Sequence, residues 1–200
     1  MELHEKSKSE EIKREMRVQA QENQGLQQEE PLPTPPDKLF EILKNLGISY
    51  ELHHHAPIFT VEEGEHLKAS IPGIHCRNLF VRDKKEEMFL VVVANETRID
   101  MKKLADVLGC GRLSFGSPDR LWRHLGIRPG SVCPFCIIND TDKKVRIMLD
   151  KQMMQAQRMN VHPLDNAMTV GLSPADLIRF IEHVGHKPEI VDLAPAAPDA

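Results

Sequence analysis

The chain has 200 residues, 40% hydrophobic and 28% charged, which is the composition of a globular protein rather than a collagen-like or wholly disordered one. Its 26 Lys and Arg against 30 Asp and Glu give a net charge of -4, which excludes a general nucleic-acid coat protein, leaves DNA out as a partner and confines any RNA contact to a local patch. No apolar run approaches the ~20 residues that span a bilayer. The start, with Glu2, Glu5, Glu10 and Glu11, is too acidic for a leader, so no membrane association and a cytoplasmic location are expected. Cysteines at 76, 110, 133 and 136 are too few for a disulfide scaffold and are expected as reduced thiols.

Residues 1–36 read as an acidic, at most weakly helical tail that ends in the stiff spacer Pro31-Leu32-Pro33-Thr34-Pro35-Pro36. Folded-domain patterning begins at Asp37. This residue is expected to cap a helix with Leu39, Phe40, Ile42, Leu43 and Leu46 on one face and Gly47 as its stop. A strand is predicted over 48–53, and Thr60 with Glu63 forms a capping-box pattern for a short helix to about Lys68. Runs 79–82 and 88–94 predict a hairpin whose second strand is fully buried at the sheet centre. Asp100 caps a helix to Gly109, and Ser117-Pro118 opens another to Gly126. Three β-like runs follow, at 131–138, 145–149 and 167–172. Then Ser173-Pro174 starts a last helix ending at Gly185, before Ile190-Val191 and a loose tail over 194–200. Irregular alternation of strands and helices favours an α+β or mixed α/β fold over a repeat.

Cys133-Pro134-Phe135-Cys136 has the spacing of a redox dithiol or half a zinc site. A redox pair needs a helix N-terminus, whereas Ile137 and Ile138 are expected to continue a strand. A zinc site needs two further ligands that Cys76 and Cys110 do not supply, so buried thiols and no metal are expected. His53-His54-His55 reads as a solvated strand end, because alternate side chains point to opposite faces. No G-x-S-x-G elbow occurs, and Gly109-Cys110-Gly111 lacks the spacing of a phosphate loop. Gly130-Ser131-Val132-Cys133-Pro134 is more informative: glycine removes side-chain bulk and proline fixes the turn, so backbone groups come within reach of a ligand. The irregular segment from Asn160 through His162 to Asn166 offers polar groups to the same kind of pocket.

In order along the chain, Arg77-Asn78-Leu79-Phe80-Val81, Leu90-Val91-Val92, Gly130 to Phe135 with Ile138-Asn139-Asp140, and His162-Pro163-Leu164 with Asn166 and Thr169 resemble the YbaK/ProX family. The likeness is to its freestanding ProX-type alanyl-tRNA(Pro) deacylases, relatives of the editing insertion of bacterial prolyl-tRNA synthetases, and it covers about 37–193. It implies a compact α+β domain around a central mixed sheet flanked by helices. It also implies hydrolysis of the ester joining a wrong amino acid, alanine, to proline tRNA, without cofactor or metal. An aminoacyl ester is already activated, so positioned water and stabilisation of the oxyanion supply much of the acceleration.

By the same resemblance Arg77, Gly130, Ser131, Pro134 and His162 belong to the catalytic centre. Asn78, Val132, Cys133, Phe135, Asn166 and Thr169 would bind substrate, with His162 shaping a size sieve. The implied partners are the acceptor end of proline tRNA and, secondarily, prolyl-tRNA synthetase. Arg77 replaces the family's functional lysine with a planar fork that stays protonated. Cys133 and Cys136 stand where the family more often has Thr and a small residue. A non-catalytic tRNA- or synthetase-binding module of the same fold, and a thiol or zinc protein, are the competing readings.

Overall fold

A computed structural model of the chain describes residues 30–57 and 70–193. The acidic stretch 1–29, the helix expected from Thr60 and the C-terminal tail lie outside the described residues. The folded body runs from Pro33. Its first helix, α1, is Pro36–Asn45, with Leu39 and Leu43 buried. Pro35 rather than Asp37 stands at its N-cap, because Pro36 at N1 sacrifices no intrahelical bond; Asp37 sits in the first turn instead.

Eight strands follow among the described residues: β1 Glu51–His54, β2 Ile74–Arg82, β3 Met88–Ala94, β4 Ser114–Phe115, β5 Val145–Asp150, β6 Met159–Val161, β7 Met168–Leu172 and β8 Glu189–Val191. They form one mixed sheet in the order β1-β7-β6-β2-β3-β5-β8, with β4 added to β2. The β2–β3, β1–β7, β6–β7 and β2–β4 pairs are antiparallel, and the β2–β6, β3–β5 and β5–β8 pairs are parallel. The fold is therefore α+β around a mixed sheet. All seven residues of β3 are buried, as the unbroken apolar run predicts for a strand covered on both faces.

Helices α2 Met101–Leu108 and α3 Pro118–Leu125 keep the expected bounds, because side-chain caps and stop glycines set both ends. Asp100 accepts from the amides of Lys102 and Lys103, and Ser117 accepts from that of Arg120. Leu104, Ala105 and Leu108 of α2 pack on Val81, Phe89, Val91, Val93 and Met148. A short α4, Lys151–Met154, capped by Asp150, was not foreseen, nor were β4 and β6. Helix α5, Pro174–His183, is capped by Ser173.

The run 131–138 is not a strand. Cys133 is extended (φ -149°, ψ 163°), and Pro134–Asn139 forms a 3-10 helix with Pro134 in its first turn. The run is β-like in composition only because Pro134, Phe135, Cys136 and Ile137 are all buried, and a short apolar run does not distinguish strand from buried turn. Phe135 meets Phe180 of α5 edge to face, with ring centroids 5.0 Å apart.

Asp140 ends this turn, 2% exposed, its carboxylate accepting from the amides of Val145 (2.7 Å) and Lys144 (3.1 Å). Asp140→Ala strands the buried Val145 amide, while that of exposed Lys144 can turn to water, and is expected to cost about 2 kcal/mol, read as a lowered midpoint in urea at unchanged slope. A midpoint like that of the parent chain would refute this assignment.

Candidate functional site

The polar end of β2 organises the site. Neighbouring side chains on a strand face opposite ways, so Asn78 and Arg77 leave β2 in different directions. Asn78 donates from Nδ2 to the backbone oxygen of Val132 (2.9 Å), and its Oδ1 is buried without a donor. The segment it holds starts as a tight turn. Ser131 N–H donates to Arg128 O (3.1 Å), with Pro129 second and Gly130 third at φ 93°. Proline followed by a residue of positive φ is the requirement of a type II turn, and a side chain at Gly130 would be strained there. The turn consumes the Ser131 amide, whereas the amides of Gly130 and Val132 meet no acceptor among the described residues. Below the turn Cys133, Pro134 and Phe135 are buried, so they hold the loop from the core side.

The second wall is the connection from β6 to β7. His75 pairs with Asn160 across the parallel β2–β6 seam, so Arg77 lies two residues further along β2 and His162 two residues further along the other chain segment, just past the end of β6. His162 donates from Nδ1 to Met168 O (3.0 Å), which leaves Nε2 as the ring's acceptor. Leu164, at φ 68°, gives its amide to the Cys133 sulfur, tying this connection to the Gly130 loop; Asn166 is buried at its far end.

His55 corrects the expectation of a solvated strand end. Its amide bonds Ala167 O (3.0 Å), Nδ1 donates to Ala56 O (2.8 Å) and Nε2 accepts from the Thr169 hydroxyl (2.9 Å). Its ring lies 6.4 Å from that of His162. Residues 168 and 169 thus fix both imidazoles. No sequence signal reports this, because it depends on β1 pairing with a strand more than a hundred positions away.

Burial pushes the His162 imidazole below its usual pKa; the Met168 carbonyl opposes this, His55 and His75 add to it, and Asp165 opposes. His186 is lowered too, mainly by burial, against the Asp140 carbonyl. Such groups bind protons more readily in the unfolded chain, so their contribution to stability is complete above the unfolded value of about 6.5 and is lost as pH falls towards the folded values. Thermal midpoints measured from pH 8 to 5 should be level at the top and drop below about 6.5, and less steeply in His186→Asn; identical profiles for the two chains would contradict this.

Arg77 sends a guanidinium N–H to the Thr97 carbonyl, and its Nε is buried without an acceptor. The hydroxyl of Thr97 donates to Asp150 Oδ2 (2.9 Å), so the Arg77 anchor is itself tied to the end of β5.

The Cys133-Cys136 pair does stand at a helical turn, which removes the strand argument against redox chemistry. Both thiols are nonetheless fully buried. Burial raises Cys136 well above the ordinary thiol value. For Cys133 burial is outweighed by hydrogen bonds from the Cys136 thiol and from the amides of Leu164, Cys136 and Phe135, which hold it below that value. Burial pushes Cys76 up to about 12. None of these three combines thiolate character with access to solvent. No helix among the described residues is long and apolar enough to cross a membrane.

The family model of the aminoacyl-tRNA editing domain matches residues 55–180, a span that begins at His55 and contains every residue discussed from Arg77 to Thr169. This chain belongs to that family. Among the relatives of this editing domain, the prolyl-tRNA editing protein ProX of Acetoanaerobium sticklandii is 37% identical over 152 residues, covering 76% of this chain and 93% of its own. Prolyl-tRNA synthetase associated domain-containing protein 1 of Danio rerio is 34% identical over 156 residues, covering 77% of this chain and 85% of its own. The crystal structure of a candidate trans-editing enzyme for prolyl tRNA synthetase superposes with a TM-score of 0.59 at 17% identity, covering 79% of this chain and 97% of that one. The hypothetical protein APE2540 superposes at 0.60 and 18%, covering 76% and 97%. At such identities the two structures speak for the editing-domain fold alone.

Proposed function

We propose that this editing domain is a cytoplasmic trans-editing hydrolase that removes mischarged alanine from proline tRNA. The observation that carries the reading is the Asn78 bond to Val132 O. It holds a turn whose Gly130 and Val132 amides meet no acceptor among the described residues, beside the His162 connection. In this reading the ester carbonyl lies against those amides. They donate to the oxyanion as water adds to the carbonyl carbon, and the ribose 2'-hydroxyl orients that water. The C–O bond to the ribose then breaks, and the ribose oxygen leaves with a proton.

The unsatisfied Asn78 Oδ1 accepts from the substrate, either its ammonium or its ribose hydroxyl. Neutral His162, backed by His55 and Thr169, walls the side-chain pocket so that alanine enters and proline does not. Arg77 supplies positive charge towards the terminal phosphate while Thr97 fixes one edge of its fork. The names borne by the relatives, prolyl-tRNA editing and prolyl-tRNA synthetase association, support proline tRNA as substrate and the synthetase as partner.

The test is single-turnover deacylation, with enzyme in excess, of proline tRNA charged with alanine, serine or proline. Alanine should be released fastest and proline least. Arg77→Lys should stay within about tenfold of the parent, since charge is kept and only the fork is lost. Binding of tRNA without cleavage of any ester, with cleavage restored by Arg77→Lys, would instead mark the chain as a binding module.

A further inference from the structure

We infer that Trp122 and Arg128 form a docking platform for the unpaired 3'-terminal bases of the RNA whose ester is held by the Gly130 turn. The inference rests on the deacylase reading but adds a surface to it. The Arg128 guanidinium carbon lies 5.1 Å from the centroid of the Trp122 ring, a cation–π stack. Both residues are partly exposed, while their neighbours Leu121, Leu125 and Ile127 are buried. The end of α3 is fixed from two sides: Gly126 adopts φ 57°, and Asn139 Nδ2 donates to Leu125 O (2.8 Å). A left-handed residue at that point reverses the chain, so buried Ile127 anchors it and Arg128 comes back over the ring one turn earlier.

Position gives the stack its meaning. Arg128 is the first residue of the same four-residue turn whose third and fourth are Gly130 and Ser131, so the platform and the ester loop form one rigid piece. An aminoacyl ester sits on the last nucleotide of its RNA, and the bases that follow it outward are single-stranded. Proteins hold such bases on aromatic rings or guanidinium planes. A ring behind the guanidinium keeps that plane oriented, so a base meets a preformed flat cationic surface.

Charge agrees with this. The last turn of α3 carries Arg123, whereas Arg120 is paired with Glu86 (2.5 Å) and burial holds the His124 imidazole below its usual pKa, so Arg123 and Arg128 supply the charge here. In a chain of net charge -4 this is a local basic, aromatic spot of the kind that RNA requires.

Trp122 is the single tryptophan of the chain, so intrinsic fluorescence reads this surface alone. The experiment titrates the full chain with uncharged proline tRNA, with the same tRNA lacking its three unpaired 3' nucleotides, and with a single-stranded CCA-ended oligoribonucleotide. It then measures single-turnover deacylation for Trp122→Phe, Trp122→Ala, Arg128→Ala and Arg128→Lys. Saturable quenching by the two RNAs with a free 3' end, and not by the truncated one, is expected. The half-saturating enzyme concentration should rise about tenfold in Arg128→Ala, with the rate at saturation kept, because base stacking is the interaction lost. Arg128→Lys should remain impaired, since the charge stays and the plane goes, and Trp122→Phe should fall between parent and alanine. Unchanged emission on adding the free-ended RNAs, or parental half-saturation in Arg128→Ala, overturns the platform. Quenching by a parent chain that cleaves no ester leaves the platform standing and removes the deacylase reading instead.

Discussion

Asn78→Ala should lower kcat/KM for alanyl-tRNA(Pro) by about 100-fold while the domain stays folded. The side chain does two jobs from one amide: Nδ2 holds Val132 O, and Oδ1 is buried without a donor. Truncation leaves Val132 O unpaired in a partly buried place, at about 1–3 kcal/mol, which a domain of this size tolerates. The larger loss is positional. The turn then rests on Cys133 and the buried 3-10 helix, and a shift of about 1 Å in the oxyanion donors costs ~10²-fold. Asn78→Asp should be as poor, because a carboxylate has no proton to give Val132 O. Single-turnover rates with far-UV circular dichroism as the folding control decide it; a rate within threefold of the parent in either variant would remove the clamp from the mechanism.

His162→Ala should change what is cut more than how fast it is cut. The ring is held by Met168 O and faces His55, and burial keeps it neutral, so in the proposed site it contributes bulk and an acceptor rather than charge. Removing it opens the pocket by more than the ring methylenes that separate proline from alanine. Each methylene-sized difference is worth ~1–3 kcal/mol, so hydrolysis of prolyl-tRNA(Pro) should rise at least tenfold relative to alanyl-tRNA(Pro). The readout is the ratio of the two single-turnover constants. An unchanged ratio with both rates depressed would mean that His162 serves the reaction itself and not the sieve.

Local chemistry made some elements readable and long-range pairing hid others. Asp100 and Ser117 each offer an oxygen to the first-turn amides of a helix, and Gly109 and Gly126 stop those helices, so α2 and α3 are legible residue by residue. Strand β3 is legible because no residue interrupts its apolar run. The 3-10 helix is not, because Cys133 to Ile138 owes its composition to burial and Pro134 alone marks the change of backbone.

In the site, the glycine and proline of the 128–131 turn announce a tight backbone, and the ordered motifs that share it carry the family resemblance. His55 and Thr97 are silent in the sequence. Their roles arise only when β1 pairs with β7 and Arg77 reaches the segment after β3.

The β2–β6 seam has a kinetic consequence. Among the described residues only two register pairs, Ile74 with Met159 and His75 with Asn160, join β1-β7-β6 to the rest of the sheet, against seven between β2 and β3. The partners are about 85 positions apart, so closing this loop, like the still longer closure of β1 on β7, is a slow, high-contact-order event of folding. His162 and Arg77 sit just past the last of those pairs. A nascent or partly opened chain therefore keeps its hairpin and helices but not its editing centre, and amide exchange at Met159 and Asn160 should track loss of activity sooner than exchange in β3 does.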